Sequence, residues 1–591
     1  MKGKGIITIL SPKYDYAMIT TNDNLNDKSI EIEGFNNIGK VFTGDEVSTD
    51  GETCALLKSN VNRFKIVGIL ELYSKYKYAP NKRGMERFKF IPVSKKYPEF
   101  LVSTKLKRKY TKNILITVKF LEWTDKMPYA ELVDVIGYPI INNLYEGILH
   151  KFNLINKKIK ITKKILDNLK SLDKDKDKDK DKDKDKDNLK SLDNTDYNDI
   201  TCADVFSIDP ESTLDMDDAF SFSIKNNICR VGIHISDVVG TLKHYELDYL
   251  LTNLSTTIYA PHRILNMLPD ILSNNLLSLV YGKKRYVITL WLTIENHCII
   301  DSRFEKNIII NKKRLTYDNC EKYPHYKEFY NIIHNLCYKN LIFDDFNSHR
   351  LVEKLMIIYN CECCDYLIKN LKTPILRKHP KTLINLGEGE GEGEREGEGG
   401  KNIPQELNKF IKIISNKAAL YTFDINSYHS GLELINYGHC TSPIRRYVDC
   451  YNQYLIHQVL HNTADLSKLP IDIDHINNES SYIKKAERMF NKLKLASYIL
   501  DTGTHHFKGY IYGVRENRKI EIYIPGNNIT ISKKLIDNRI NNTLYKEGDN
   551  ITLLDSREEV IKIYTMNVLI DIEIYVIENK LNPYNKFIIQ I

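Results

Sequence analysis

The sequence predicts an α+β multidomain protein in which small β-barrels flank a large mixed α/β domain. At 591 residues the chain exceeds what one hydrophobic core organises, and about 150 residues per domain gives roughly four domains. Short β-rich runs separated by turn residues fill both ends of the chain. Apolar residues at three- and four-residue spacing, typical of helices, appear only in the second half of its middle.

The first 137 residues contain β-rich runs separated by Gly, Asn, Asp and Lys. This spacing suits two small five-stranded barrels of the OB or cold-shock kind, which we assign to residues 1–70 and 71–160. The predicted strands are Ile6–Leu10, Ala17–Thr21, Val41–Val47, Phe64–Leu70, Arg87–Pro92 and Ile114–Leu121.

Two low-complexity segments interrupt the chain. Residues 173–187 alternate Lys and Asp without an apolar side chain, so we assign 161–198 to a solvated tether. Residues 387–400 alternate Gly and Glu. A phosphate-binding loop is excluded there, because its GxxxxGK[ST] spacing fails and a row of glutamates repels phosphate. The Gly-Glu run is therefore interpreted as a surface loop.

The middle of the chain, residues 199–503, is predicted to form one large mixed domain that carries the Gly-Glu run as an insertion. Its predicted strands include Ala203–Ile208 and Ala219–Ile224, and its predicted helices are Lys412–Tyr421, Arg446–His461 and Tyr482–Leu500. Residues 504–591 return to a strand pattern and predict a third OB-like barrel. The strands expected there are Lys519–Pro525, Ile551–Asp555, Val560–Met566 and Val568–Val576.

Composition limits the class of protein. The chain lacks an apolar run of the ~18 residues that span a bilayer, and no signal peptide or membrane partner is expected. The eleven cysteines show no disulfide or zinc spacing, which favours reduced thiols and an intracellular compartment, the cytoplasm rather than the nucleus. Net charge is +8, and it becomes +13 without residues 387–400, which carry six Glu and one Arg. Such a surface suits a polyanionic partner.

An aspartate cluster is the first motif with chemical meaning. Asp217 and Asp218 would repel each other if buried, so a cation should neutralise them. Clustered carboxylates without His or Cys favour Mg²⁺ or Mn²⁺, and an acidic surface turn is the alternative. An EF-hand is excluded, since Phe220 and Asn226 stand where Gly and Glu are required. The four aspartates are Asp209, Asp215, Asp217 and Asp218.

The second motif is the segment 437–449, in which a Thr-Ser-Pro turn precedes Arg445 and Arg446. We predict that a helix opens there with both arginines in its first turn. Cations oppose the helix dipole at that end, and a bound phosphate would offset the cost. The alternative is an arginine that pairs with a nearby carboxylate such as Asp449.

Together the two motifs resemble the catalytic domain of the ribonuclease II / ribonuclease R (RNB) family, closer to its eukaryotic exosome-type members. The resemblance extends over four further segments, and Gly44-Asp45 and Trp123 with Pro128 resemble the family's cold-shock domains. It implies two cold-shock barrels, an RNB catalytic domain and a C-terminal barrel of the S1 type, with no PIN nuclease domain before the first barrel. The four segments are Val231–Val238, Met267–Leu279, Leu351–Asn360 and His429–Leu432.

The resemblance implies a processive, Mg²⁺-dependent 3′→5′ exoribonuclease that degrades single-stranded RNA to nucleoside 5′-monophosphates, with Mn²⁺ as a substitute metal. By the same resemblance, Asp209 and Asp218 would hold Mg²⁺ and Asp215 would support a metal. Asp217, also placed among the metal-binding carboxylates, would be the catalytic residue whose loss abolishes cleavage while RNA binding survives.

Five more positions take roles from the resemblance. Arg445 would steady the scissile phosphate, with Arg446 beside it as a substitute. Tyr317 would lie against the last nucleotide, Tyr259 nearer the channel, and Glu353 at the terminal sugar. For both tyrosines the alternative is a packed core aromatic.

Departures from the family pattern keep other hypotheses open. Cys440 replaces the usual Phe, Gln453 stands where His is common, and the shortened 318–352 segment shows no identifiable phenylalanine clamp for the 3′-terminal bases. The main alternative is therefore an RNA-binding scaffold of the same fold with weak or no turnover. A metal-dependent DNA nuclease is a third hypothesis, and a monomer is expected in each case.

Overall fold

A computed structural model gives the structure of the chain. It describes residues 3–590 except for 12–13, 24–25, 60–64, 95–96, 156–195, 252–254, 340, 342, 344, 380–403, 416–417, 462–468, 516–518, 536–542, 548–549, 556, 558 and 578–586. The Gly-Glu run and all but the last three residues of the predicted tether lie outside the described residues.

Two five-stranded sheets form the N-terminal part, and the second closes into a barrel. The first sheet orders its strands third, second, first, fourth, fifth; they are Gly3–Ile9, Tyr16–Asp23, Asn26–Glu33, Glu46–Thr49 and Cys54–Lys58. The barrel strands are Ile66–Glu71, Arg87–Pro92, Phe100–Ser103, Ile114–Glu122 and Tyr129–Gly137.

The strand predicted at Val41–Val47 is wrong over most of its length. Val41 and Phe42 are buried in a turn, and the strand begins only at Glu46. The Asp45 carboxylate accepts the Phe42 N–H at 2.8 Å, and such a local side-chain bond competes with strand pairing.

A six-stranded sheet is the largest sheet in the described residues of the middle part. The strand Cys298–Leu315 pairs in parallel with Val205–Ile208 and antiparallel with Lys284–Glu295. Its strands in order are Asn198–Asp199, Cys298–Leu315, Val205–Ile208, Asp218–Lys225, Ile228–Ser236 and Lys284–Glu295. Three two-stranded antiparallel sheets accompany it: Ile258–Ala260 with Arg263–Leu265, Leu376–Lys378 with Leu420–Thr422, and Tyr428–His429 with Leu434–Ile435.

Eight α-helices are found in the part of the chain that the structure describes: Phe35–Ile38, Ile141–Lys151, Val238–His244, Tyr326–Asn335, Ser348–Lys369, Gln405–Ser415, Tyr447–His461 and Ile473–Thr502. Short 3₁₀ turns lie at Leu106–Arg108, Asp248–Leu250, Cys320–Lys322 and Pro525–Asn527, with a π turn at Leu272–Leu276. None of the described helices is long and apolar enough to cross a bilayer.

The helix predicted over Lys412–Tyr421 is displaced. The helix occupies Gln405–Ser415, and Leu420–Thr422 is a strand paired with Leu376–Lys378. Pairing with a neighbour distant in sequence overrides local helical spacing here, because residues 376–378 supply the ladder that a strand needs.

The long helix Ile473–Thr502 joins three regions. The side chain of Asp472 caps its start by accepting the His475 N–H at 2.9 Å, and Gly503 ends it with φ 68. Its middle, including Met489 and Phe490, packs against residues of helix Ile141–Lys151, and its last turns pack on the C-terminal sheets.

Two sheets share one hydrophobic core at the C-terminus. The five-stranded sheet contains His506–Arg515, Lys519–Ile524, Ile529–Lys534, Leu569–Val576 and Phe587–Gln590. The three-stranded sheet contains Thr543–Glu547, Asn550–Leu554 and Val560–Thr565. With the N-terminal sheets and the mixed middle part, this arrangement confirms the predicted fold class.

Candidate active site

One cavity of about 770 Å³ in the middle part contains every site residue that the sequence predicts. It is lined by the loop between strands Val205–Ile208 and Asp218–Lys225 and by residues of the helix Ser348–Lys369. Other lining residues include Asn266, Asp270, Asn360 and Tyr437. The predicted residues that line it are Asp209, Asp215, Asp217, Asp218, Tyr259, Tyr317, Glu353, Arg445 and Arg446.

The acidic loop, residues 209–217, connects two adjacent strands of the sheet. It begins where Val205–Ile208 ends, and its last residue precedes strand Asp218–Lys225. The Ser278 hydroxyl holds it by donating to the Leu214 carbonyl at 2.8 Å and accepting the Met216 N–H at 3.0 Å. The Arg314 guanidinium donates to the carbonyls of Glu211 and Thr213 at 2.8 and 2.7 Å.

These two supporting residues were missed by sequence reasoning as parts of the site. Ser278 belongs to a segment that resembles the family, yet its hydroxyl's role depends on a contact 64 residues away. Arg314 lies at the end of a strand and had no signal besides its charge.

Asp209 and Asp218 provide open carboxylate oxygens. Oδ2 of each is buried and has no hydrogen-bond partner among the described residues. Burial raises the pKa of Asp209 to about 6, and burial together with the charges of Asp209 and Asp217 raises the pKa of Asp218. Two buried carboxylate oxygens without a hydrogen-bond donor favour a cation beside them, which is the fit expected of a Mg²⁺ site.

The metal role that the sequence predicts for the four aspartates stays a prediction. No group of three or more His, Cys, Asp or Glu in the described part of the chain has the geometry to hold a metal ion. Mg²⁺ is commonly held by one or two carboxylates, with waters and substrate phosphates completing its shell. The oxygens of Asp209 and Asp218 match that mode.

Asp217 has both carboxylate oxygens occupied by the protein. The Ile444 N–H donates to Oδ1 at 2.9 Å, and Arg445 Nε donates to Oδ2 at 3.3 Å. Burial raises the pKa of Asp217 to about 7, although Arg445 and the Ile444 N–H oppose the rise. Asp217 therefore positions Arg445 in this structure, and each of its carboxylate oxygens already accepts one hydrogen bond. Asp215 accepts the hydroxyl of Tyr259 at 3.1 Å.

The arginine turn, residues 441–446, corrects the prediction of a helix with two arginines in its first turn. The helix begins at Tyr447, after both arginines, so its dipole imposes no first-turn cost on them. The Arg446 N–H instead donates to the Ser442 carbonyl at 3.0 Å, which closes the turn. Arg445 also donates to the Ser442 hydroxyl at 2.9 Å.

Arg446 takes the alternative role that the sequence left open. Its guanidinium donates to Asp449 Oδ1 at 2.9 Å, and the same oxygen accepts the Ser442 N–H at 2.7 Å. Asp449 is completely buried. This carboxylate therefore fixes the arginine turn from below, while Arg445 keeps a partly exposed guanidinium at the cavity.

The remaining predicted residues line the same cavity. The Tyr317 ring stacks on His349 with centroids 3.8 Å apart and planes 9° from parallel. Glu353, on the same helix as His349, forms an ion pair with Arg350. Tyr259 is 48% exposed, so a packed core aromatic is the wrong interpretation for this residue.

The family departures have structural partners. The Cys440 N–H donates to Asn360 Oδ1 at 2.7 Å, and Asn360 in turn donates to the Tyr437 hydroxyl at 3.1 Å. Gln453 bridges the Val239 N–H and the Ser236 carbonyl, so it supports the sheet behind the cavity. Neither substitution places a foreign group among the aspartates.

Comparison with known proteins places the similarity in this middle part. Residues 195–329 and 332–462 match the RNB domain model. The chain is 24% identical over 407 residues to the probable exosome complex exonuclease RRP44 of Caenorhabditis elegans, covering 56% of this chain and 41% of that protein. It is 26% identical over 368 residues to ribonuclease R of Chlamydia pneumoniae, covering 51% of this chain and 53% of that protein. The chain thus aligns with about half the length of these relatives.

Solved structures extend the fold similarity to almost the whole chain. RNase R of Mycoplasma genitalium, in complex with ribose methylated single-stranded RNA, superposes with a TM-score of 0.70 and 18% identity, covering 99% of both chains. Yeast Ssd1, described as a pseudonuclease, superposes with a TM-score of 0.59 and 15% identity over 94% of this chain and 82% of its own. At these identities the likeness concerns the fold alone.

Proposed function

The chain carries an RNB domain in residues 195–329 and 332–462, and on that premise we propose that it is a 3′→5′ exoribonuclease of single-stranded RNA. It releases nucleoside 5′-monophosphates and works processively with Mg²⁺, for which Mn²⁺ can substitute. The observation that carries the proposal is the pair of open carboxylate oxygens of Asp209 and Asp218, in the same cavity as Arg445.

Each side chain has a task in this reaction. Asp209 and Asp218 hold Mg²⁺, which when bound supplies Lewis-acid stabilisation of charge on the transferred phosphoryl group. Arg445 orients the scissile phosphate through charge-assisted hydrogen bonds, and Asp217 holds the Arg445 side chain at the required angle. Burial of Asp209 and Asp217 strengthens the electrostatic effect of their carboxylates.

The rest of the cavity selects and positions the RNA. Tyr317 stacks its aromatic face on the terminal base, and Tyr259 stacks on a base nearer the entrance of the cavity. Glu353 accepts a hydrogen bond from the terminal ribose. Hydrogen bonds to 2′-hydroxyls distinguish RNA from DNA. We further propose that the protein acts as a monomer in a reducing intracellular compartment, the cytoplasm, with the domain boundaries assigned from its sequence.

The decisive experiment follows a 5′-labelled single-stranded RNA over time with Mg²⁺, with EDTA, and with the matching DNA. Stepwise shortening and accumulation of 5′-monophosphates are expected only with RNA and Mg²⁺. Asp217→Asn should abolish shortening while RNA binding persists, because the neutral amide no longer holds Arg445 as an ion pair. Asp301→Asn, at an exposed position of the strand Cys298–Leu315, is the matched control and should retain activity.

The second candidate is an RNA-binding scaffold without turnover. It is favoured by the hydrogen bonds that both carboxylate oxygens of Asp217 already accept, from the Ile444 N–H and from Arg445 Nε. A scaffold would bind the labelled RNA in a salt-sensitive manner and leave its length unchanged with Mg²⁺ or Mn²⁺. Equal shortening of RNA and DNA would instead favour a general nuclease and contradict both proposals.

A further inference from the structure

A second cavity of about 760 Å³ lies between the long helix Ile473–Thr502, the helix Gln405–Ser415 and the C-terminal five-stranded sheet. We call it the basic cavity. Its cationic lining residues are Arg377, Lys484, Arg488 and Lys492. Glu521 is the only carboxylate among the described residues that line it.

Three of the four cations come from one face of the long helix. Lys484, Arg488 and Lys492 are spaced four residues apart, which places them on consecutive turns about 6 Å apart along the axis. Like charges at this spacing destabilise a helix, so the row carries a cost without an anion. Arg377 approaches from the short strand Leu376–Lys378.

The cations affect one another's protonation. Partial burial and the charge of Arg488 together lower the pKa of Lys492 to about 8, although Glu521 opposes the fall. Partial burial also lowers the pKa of Lys484, with additional repulsion from Arg377 and Arg488, although Glu487 opposes the fall. An anion in the cavity would relieve this repulsion for all four groups.

Glu521 is poorly placed to neutralise the row by itself. Its carboxylate accepts the Ser532 hydroxyl at 2.8 Å and the Tyr512 hydroxyl at 3.3 Å, both from its own sheet. Four cations and one carboxylate line the cavity, so the charge of its lining is predominantly positive. The side chains of Lys484 and Arg488 are exposed, so a ligand from solvent can reach them.

The charge and size of the cavity select the ligand. A phosphomonoester carries about −1.5 to −2 charges at pH 7, whereas each phosphodiester of an RNA backbone carries one, so the monoester matches the cation cluster better. A volume of 760 Å³ lies within the usual range of small-molecule pockets. Tyr512 and Asn528 at the rim offer an aromatic ring and an amide to a sugar or base.

The basic cavity is separate from the active-site cavity but shares a wall with it. His429 lines the basic cavity, and its ring packs against Tyr437, which lines the active-site cavity, with centroids 5.3 Å apart. The Arg377 N–H donates to the Tyr437 carbonyl at 2.7 Å. A ligand that moves Arg377 or His429 would therefore act on Tyr437, a lining residue of the active-site cavity.

We propose that the basic cavity is a second ligand site that binds a phosphomonoester of nucleotide size through Arg377, Lys484, Arg488 and Lys492. The site is distinct from the carboxylate cavity and requires no hydrolysis for binding. Nucleoside monophosphates and inorganic phosphate share the recognised chemistry.

The test is calorimetric titration of the full chain, without RNA or divalent metal, with AMP, adenosine and inorganic phosphate. AMP is expected to bind, adenosine is expected not to bind, and phosphate is expected to compete with AMP. The affinity of phosphate relative to that of AMP shows whether the site prefers a nucleotide or the free anion. The double variant Arg488→Gln/Lys492→Gln should bind AMP at least about tenfold more weakly, since it loses two charge-assisted contacts. The double variant Lys485→Gln/Lys494→Gln, on the same helix outside the cavity, should bind as the wild type does.

Two results would overturn the proposal. One is AMP binding that survives Arg488→Gln/Lys492→Gln but is lost in Arg445→Gln, which would place the ligand in the active-site cavity. The other is no AMP or phosphate binding, with loss of single-stranded RNA binding in Arg488→Gln/Lys492→Gln, which would assign the row to an RNA backbone. RNA shortening by each variant is measured separately, so failure of this site and failure of the nuclease proposal are distinguishable.

Discussion

Among single residues, Tyr317 tests the proposed base contact most directly. One face of its ring stacks on His349, which fixes the ring, and the residue lines the active-site cavity. Tyr317→Ala is expected to weaken binding of the RNA 3′ end about tenfold, since one base–aromatic stack contributes about 1–3 kcal/mol. Tyr317→Phe keeps the ring and should bind normally. Equal losses in both variants, measured by fluorescence anisotropy with Asp217→Asn as the background, would assign the effect to the hydroxyl instead.

Asp449 is the residue on which the arginine turn depends. It accepts both the Ser442 N–H and the Arg446 guanidinium with one buried oxygen. Asp449→Asn leaves the buried Arg446 without a counter-charge and is expected to cost about 3 kcal/mol of unfolding free energy. Urea denaturation measures this loss. Double variant Asp449→Asn/Arg446→Gln should recover part of the loss, and a double variant as unstable as the sum of both singles would contradict the pairing.

His234 gives the protein a defined acid sensitivity. Its ring lies between the Ser221 and Thr289 hydroxyls, both 2.9 Å away, and burial lowers its pKa to about 3. The unfolded chain binds a proton near pH 6.5 and the folded chain does not, so stability falls as pH falls below 6.5. At pH 5 the expected loss is about 2 kcal/mol.

The comparison of two variants isolates that contribution. His234→Gln should be less stable at pH 7 but should lose about 2 kcal/mol less than the wild type between pH 6.5 and pH 5. His297→Asn, at an exposed turn position, should keep the wild-type pH dependence. Identical slopes of unfolding free energy against pH in His234→Gln and the wild type would refute the assignment.

At the scale of secondary structure, sequence patterns succeeded where a segment pairs with its neighbours in the chain. Arg87–Pro92 was predicted with its observed bounds, and Val560–Thr565 differs by one residue. The sequence patterns failed in two segments whose conformation depends on residues distant in the chain. Residues 420–422 form a strand only because 376–378 lie beside them, and the arginine turn stays non-helical because Asp449 and Asp217 take its N–H groups.

Gly68 tests the packing of the closed N-terminal barrel. A Cβ at this position would lie 2.3 Å from the Ile91 carbonyl oxygen and 2.5 Å from the Phe90 ring, so even alanine cannot fit without a shift of backbone. Gly68→Ala is expected to cost about 1–3 kcal/mol by overpacking. Gly513→Ala, in a strand of the C-terminal sheet where a Cβ meets nothing within 4 Å, should change stability by less than about 0.5 kcal/mol. Equal denaturation midpoints for the two variants would contradict the barrel packing.

At the scale of the whole molecule, the sequence could predict which residues share the site but not how they contact one another. The resemblance brought nine residues together, and all nine line one cavity. The bond from the Ile444 N–H to Asp217 joins residues 227 apart, and no spacing rule predicts a contact of that range. The contrast between Asp217, whose two oxygens both accept hydrogen bonds, and the open Oδ2 atoms of Asp209 and Asp218 therefore required the folded chain.

Net charge allows a prediction for the entire chain. Replacing residues 387–400 with Gly and Ser removes six Glu and one Arg, which raises the net charge from +8 to +13. RNA association should be faster and tighter at low salt, because a stronger positive field attracts the polyanion. The advantage should disappear near 1 M salt, where the screening length is about 3 Å.

The same replacement of residues 173–187, with eight Asp and seven Lys, changes the charge by only one and should leave association unchanged. Stopped-flow binding across a salt series measures both variants, and a salt-independent gain after replacing 387–400 would show that the Gly-Glu run acts through contacts other than its charge.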